Sequence, residues 1–241
     1  MSIIIQNTWN DDDDEELYEY LDTHHIKYDT KTEQEILKLN PYNIEILFCD
    51  TNILQELLNT NNISFELPNQ YPQEFSHIYH RNICKSTFCK SLSTPIPYFI
   101  KPVDQNKLFG GVVYDKYDIN FLKSLNILDD YPVYISDVVQ FVNEYRIFVA
   151  NKKSCGIIET SHFILPPDII SSKFPPIDFI NTILELNPYK FCVIDIGMLN
   201  SGEWAVVEVN PSFSLSSYEW DIEKYVNYCK LYWNYTLYLR N

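Results

Sequence analysis

The chain has 241 residues, enough for one large domain or two small ones. Acidic residues outnumber basic ones, 33 against 18, and the net charge of −15 argues against a grip on nucleic-acid backbone or an anionic membrane. No stretch approaches the roughly 20 apolar residues of a membrane helix, the N-terminus lacks the basic start of a secretory signal, and six cysteines without CxxC spacing read as free thiols; a soluble protein of the reducing cytoplasm is expected.

Residues 1–75 read as a small α/β domain. Ile3–Gln6 and Ile44–Asp50 are expected as buried strands, and Thr51–Thr60 as a helix capped by Thr51. The acidic run Asp11–Glu16 reads as a solvated helix start. The Pro/Asn-rich stretch Ser64–Glu74 is the expected connector, which makes residues 76–241 the larger second domain. There the pattern predicts a helix over 75–92. Short strands follow at 97–102, 110–115, 132–142, 144–150 and 154–159. A helix with Pro in its first turn is predicted over 175–187. Two strands, 191–197 and 204–209, flank the polar turn 199–203. An aromatic, amphipathic helix closes the chain over 218–239.

Three places carry chemistry. Asp195 and Glu208 each stand alone in an apolar strand, and Asn210 lies two residues after Glu208 on the same face. If the two strands pair, Asp195 sits beside them, and the set is of the oxygen type that hard cations take. Lys101 ends a strand and precedes a polar loop, 104–111, which contains Lys107 and the Gly110–Gly111 pair. Such a loop can cradle phosphate through backbone N–H groups and a point charge. Glu144 and Arg146 are two apart, hence on one strand face, where the ordinary reading is a salt bridge and the functional one is ribose and phosphate.

The order of these features resembles the ATP-grasp superfamily of carboxylate–amine ligases. The resemblance covers roughly residues 80–215 and is nearest to the virus- and bacterium-associated clade named for one arginine and two lysines. It implies an α+β fold, two lobes gripping ATP, preceded by the small α/β domain. It implies that Lys101 contacts adenine and the α-phosphate, and that loop 104–111 covers the phosphates with Lys107 as its charge. Val139, Gln140, Phe141 and Val142 correspond to the adenine hinge, and Glu144 to the acid on the ribose hydroxyls. Asp195, Glu208 and Asn210 correspond to Mg²⁺ ligands. Lys85 corresponds to an earlier phosphate-contacting lysine on the 75–92 helix, with Arg81 and Lys90 as rivals. Val193 stands where many such ligases carry Arg, and Arg146 is the candidate to replace that charge.

The activity so implied is ADP-forming ligation of a carboxylate to an amine through an acylphosphate, with ATP and Mg²⁺. Substrates are small-molecule, peptide or protein carboxylates and amines, in the cytoplasm, or the host cytoplasm if the source is viral. Oligomeric state is left open. Two other readings stand beside it. One is a catalytically weak nucleotide-binding or interaction protein that keeps the fold. The other is an acidic interaction protein using its Tyr-rich C-terminal helix.

Overall fold

The computed structural model describes residues 2–8, 14–65, 67–104, 108–165 and 173–239, so residues 11–13 of the acidic run and Lys107 lie outside it. Among the described residues the strands form three sheets. The first is parallel, with order β2-β1-β3: β1 (Ser2–Gln6), β2 (Tyr28–Lys31) and β3 (Ile44–Phe48). Helix α1 (Asp14–Thr23) connects β1 to β2, α2 (Glu33–Ile36) follows β2, and α3 (Thr51–Thr60) follows β3. Ile3, Ile4 and Ile5 are all buried, as in a parallel strand covered on both faces. Helix α3 starts at Thr51, but its cap position is Asp50, whose carboxylate accepts from the Gln6 amide at 2.9 Å instead of capping.

The second sheet is antiparallel, order β4-β7-β5-β6, built from β4 (Ile83–Thr87), β5 (Tyr98–Pro102), β6 (Gly111–Val113) and β7 (Pro132–Ser136). Helices α4 (Phe88–Ser91) and α5 (Lys116–Ser124) contribute Phe88 and Leu122 to a core with Tyr98, Ile100, Val133 and Ile135. The helix expected over 75–92 does not form. A 3₁₀ turn, Gln73–Ile78, is followed by His80 in the left-handed region at φ 50°, and the chain leaves as strand β4. The polar break at His80–Asn82 ends the helical register, and the β-branched ends of Ile83–Thr87 suit a sheet edge. Helix α5 is an element that the sequence reading lacks, although Asp115 and Asp118 form its capping box.

The third sheet is antiparallel, order β11-β10-β8-β9, with β8 (Phe141–Ala150), β9 (Lys153–Glu159), β10 (Phe191–Leu199) and β11 (Trp204–Asn210). The strand expected over 132–142 is broken. Strand β7 ends at Ser136, and residues 137–140 carry the chain from the second sheet to the third. Asp137 pins this crossing by accepting from the Asn82 backbone and side-chain amides at 2.9 and 2.7 Å. A short helix, α6 (Ser161–Ile164), follows β9. Helix α7 (Ile177–Leu186) buries Ile180 and Ile183 against one face of the sheet, with Cys192, Ile194, Val206 and Val209. Helix α8 (Ile222–Asn234) covers part of the other face. Its Tyr225, Tyr228 and Trp233 share one cluster with Phe148 and Val193 and with Ile4 and Phe48 of the first sheet. The Trp233 indole donates to the Ile44 carbonyl at 2.9 Å.

Candidate active site

Strand β10 is buried along its whole length, and its alternation decides what faces where. Cys192, Ile194 and Ile196 face α7, so Val193, Asp195 and Gly197 take the opposite face. The apolar cover of α8 on that face includes Val193. Beyond it the face turns polar. Arg146 of β8 is opposite Asp195, and Glu144 is opposite Gly197. On β11, Glu208 is opposite Asp195 and Asn210 is opposite Val193. Gly197 is needed where it stands: a Cβ there would come within 2.5 Å of the Phe141 ring and 2.9 Å of the Asn143 carbonyl.

The pairing of Asp195 with Glu208 depends on a bulge. The register shifts between Asp195 and Ile196, so Ile196 faces Val206, Asp195 faces Glu208, and Val207 is the extra residue. Val206 and Val209, three apart, accordingly share one core. Strict alternation from the turn would set Glu208 opposite Ile194, on the α7 face.

Two cations hold the carboxylates. Arg146 grips Asp195 through Nε–Oδ1 at 2.8 Å and Nη2–Oδ2 at 2.9 Å, and its guanidinium lies 4.5 Å from the Tyr218 ring centre. Burial would lower the Arg146 pKa, but Asp195 outweighs it and the net shift is upward. Lys101 reaches from the second sheet to Glu208 Oε2, with its ammonium 4.7 Å from the Tyr71 ring centre. Burial raises Glu208, yet the Lys101 charge pulls it below the ordinary carboxylate value. Asn210 Nδ2 donates to Asp195 Oδ2 at 2.8 Å and Glu208 Oε1 at 3.1 Å. Glu144 behaves differently. Burial, then Asp195 and Glu208, push it up to about 8 against the weaker pull of Arg81 and Arg146.

The second sheet opposes this face with a row of its own. Lys85 and Lys101 both pair across to Tyr134, which puts all three on one side of the sheet. The Lys85 ammonium lies 5.4 Å from the Tyr134 ring centre. Lys85 thus sits on strand β4, not on the expected helix. Lys90 is on α4, outside the row. Arg81 is engaged elsewhere, donating to the carbonyls of Tyr79, Val206 and Val207 at 3.2, 3.1 and 2.6 Å. Where the chain crosses between the sheets, Val138, Val139 and Gln140 line a cleft of about 640 Å³ with Val112, Tyr114, Leu199, Asn200 and Ser201. The Gln140 carbonyl accepts from the Asn200 N–H at 3.1 Å, and Phe141 and Val142 stand half-buried at the start of β8. At the root of loop 104–111, Asp104 accepts from the Tyr131 hydroxyl at 2.5 Å.

The sequence profile of an ATP-grasp domain, the second family of the clade named for one arginine and two lysines, matches residues 79–228, more than half of the chain. The chain belongs to this family of the ATP-grasp superfamily. By sequence it matches no curated protein. Its fold is similar to that of D-alanine–D-alanine ligase from Bacillus anthracis complexed with ATP, at TM-score 0.56 and 15% identity over 96% of this chain and 94% of that one. It is similar to a RimK-domain ATP-grasp protein from Sphaerobacter thermophilus, at TM-score 0.55 and 11% identity over 98% and 100%. It is also similar to the macrocyclase MdnC bound with precursor peptide MdnA from Microcystis aeruginosa, at TM-score 0.50 and 12% identity over 98% and 99%.

The ATP-grasp fold implies Mg²⁺, and the donor set can be tested for it. Among the described residues no three His, Cys, Asp or Glu side chains converge as a metal cage. Asp195, Glu208 and Asn210 offer two carboxylates and an amide, and Mg²⁺ is commonly held by one or two carboxylates with substrate phosphates completing the shell. The Asn210 amide now presents its NH₂ to both carboxylates, and a half-turn about its terminal torsion presents Oδ1 instead. The residues fit the ion. Sequence reasoning missed Tyr71, Tyr134 and Tyr218, which back the cations. Tyr134 is legible only as the odd member of the alternating run Val133–Ile135.

Proposed function

We propose that this ATP-grasp protein is an ADP-forming carboxylate–amine ligase. The observation that carries the reading is the confrontation of two rows, Lys85–Tyr134–Lys101 on one sheet and Glu144, Arg146, Asp195, Glu208 and Asn210 on the other. ATP would lie between them. Its adenine would enter the cleft at Val139–Val142 and its ribose would meet Glu144, leaving the phosphates by Lys85 and Lys101; Lys107, outside the described residues, is the charge proposed for the covering loop. Asp195, Glu208 and Asn210 would hold Mg²⁺, which when bound neutralises phosphate charge as it develops. A substrate carboxylate oxygen then attacks the γ-phosphorus, and ADP leaves. The amine attacks the acyl carbon, phosphate leaves, and an amide remains. No protein nucleophile is needed; the work is positioning and charge. Arg146, buried and planar, is placed to meet negative charge where Val193 offers none.

The similar proteins include a ligase that was crystallised with ATP and a macrocyclase bound to a precursor peptide, which supports a peptide or amino-acid carboxylate and amine as substrates here. Action in the cytoplasm belongs to the same proposal. Among the described residues no helix is long and apolar enough to cross a membrane. The test is product analysis with mixed amino acids and peptides. ADP and phosphate should appear only when a carboxylate and an amine are both supplied. AMP with pyrophosphate, or an adenylated product, would overturn the assignment.

A further inference from the structure

We propose that Arg81 is a positioning residue that clamps the β11 bulge and so holds Glu208 opposite Asp195. The inference deepens the ligase reading and rests on it for the meaning of the carboxylate pair. In a regular strand successive carbonyls point to opposite sides. Here two successive carbonyls meet one guanidinium: its Nη1 donates to Val206 at 3.1 Å and its Nη2 to Val207 at 2.6 Å. They can converge on one group because Val207 is the extra residue of the bulge. The planar fork of arginine fits a pair of acceptors in a way that a point charge does not.

The clamp has a second point. Strand β11 is an edge strand, and beyond Glu208 the Val209 N–H donates to the Gln70 carbonyl at 2.9 Å. The outer edge of β11 is thus pinned on both sides of Glu208 by segment 70–81. Arg81 is itself fixed among the rings of Tyr71, Tyr79 and Phe141, at 5.8, 5.8 and 5.6 Å from their centres. If the bulge relaxed, Glu208 would rotate toward the α7 face and leave the face it shares with Asp195.

The test compares the parent with Arg81→Ala and Arg81→Lys by two readouts. Mn²⁺, as the probe, is titrated by electron paramagnetic resonance, and backbone exchange is followed at Val207–Asn210. Arg81→Ala should weaken Mn²⁺ by about 10- to 100-fold, the range for residues that orient metal ligands, and should speed exchange at Glu208 and Val209. Arg81→Lys, with one bond left, should fall between. If Arg81→Ala does not fold, Arg81→Lys and Arg81→Gln carry the comparison. A lower melting temperature with parental Mn²⁺ affinity and parental exchange would overturn the proposal. A parent that binds no Mn²⁺ would remove the metal reading, and the exchange data alone would then decide the clamp.

Discussion

The two antiparallel sheets that face each other across the cleft are built to different standards. In the third sheet every residue of β10 is buried, and the charged side chains grow from strands covered by α7 on one side and partly by α8 on the other. In the second sheet β4 is an edge strand with Cys84 and Lys85 exposed, and α5 leaves Tyr117 and Phe121 in solvent. One sheet is a fixed plate that sets carboxylate positions to within the tolerance of a packed core. The other offers cations on long side chains above a thinner core. The same kind of change should therefore cost stability in the third sheet and ligand affinity in the second.

The largest effect is expected at Arg146. Arg146→Ala leaves Asp195 buried without its bidentate partner, and loss of one member of a buried pair costs about 3–5 kcal/mol. For a chain of this size that is a fall in melting temperature of roughly 6–20 °C. Arg146→Lys keeps the charge but not the fork, and should lower turnover more than ATP affinity. A melting temperature for Arg146→Ala within about 2 °C of the parent, comparable to the ~0.5 kcal/mol spread of surface changes, would show that the plate is softer than its packing. Next comes Glu208→Gln, which conserves shape and should fold. ADP release should fall about 100-fold, the scale for losing one element of charge stabilisation. Parental turnover would demote Glu208 to a structural partner of Lys101.

Gly197→Ala probes the plate without touching charge. The new methyl meets the Phe141 ring and a backbone carbonyl, so something must move, and overpacking of this kind costs about 1–3 kcal/mol. Because Phe141 begins β8 next to the crossing, ATP affinity should fall with stability. Unchanged calorimetric melting would mean that Phe141 swings away freely.

How much of this is legible in the sequence follows the same division. The last two strands are readable from their long apolar runs; the acids in them have an ordinary reading as solvated groups on a hairpin face and point to a site only through the order of features along the chain. The shared face of Glu144 and Arg146 is readable too, from a period of two. The bulge at Val207 is not. It is fixed by Val209 bonding to Gln70 and by Arg81 bonding to Val206 and Val207, contacts between segments far apart in the chain that no local pattern encodes. The second sheet reads worst. Its first strand mimics a helix because Phe75, Tyr79 and Ile83, and then Cys84, Phe88 and Leu92, fall four apart, and α5 escapes the periodic pattern despite its capping box. A thin core leaves a weak periodic signal.

The pH dependence of stability sharpens the contrast within the plate itself. Glu144 faces Asp195 from β10, Glu208 from β11, Arg146 from its own strand and Arg81, and its pKa is raised from 4.5 to about 8. A raised carboxylate pKa means that the fold prefers the neutral acid. The contribution to stability is full below 4.5 and is lost as pH rises through about 8. With divalent cations chelated, the parent should lose melting temperature between roughly pH 5 and pH 8.5, the span of that titration. Glu144→Gln should be flatter over the same range. Parallel curves would place the Glu144 pKa near its ordinary value.

The smallest effect is expected at Lys85, on the exposed edge of the second sheet. Its ammonium rests against Tyr134 and among the described residues pairs with no carboxylate, so Lys85→Met removes one point charge and little packing. Stability should stay within about 0.5 kcal/mol of the parent, as for exposed positions generally. ATP affinity should fall by roughly 3- to 10-fold, about 1 kcal/mol for a partly screened contact with phosphate. The loss should shrink as salt is raised, since the contact is exposed to screening. Isothermal titration at two ionic strengths separates the outcomes. A fall in affinity that ignores salt would place the effect in altered packing around Tyr134. No fall at all would remove Lys85 from the phosphates and leave Lys101 as the described lysine that serves them from this sheet.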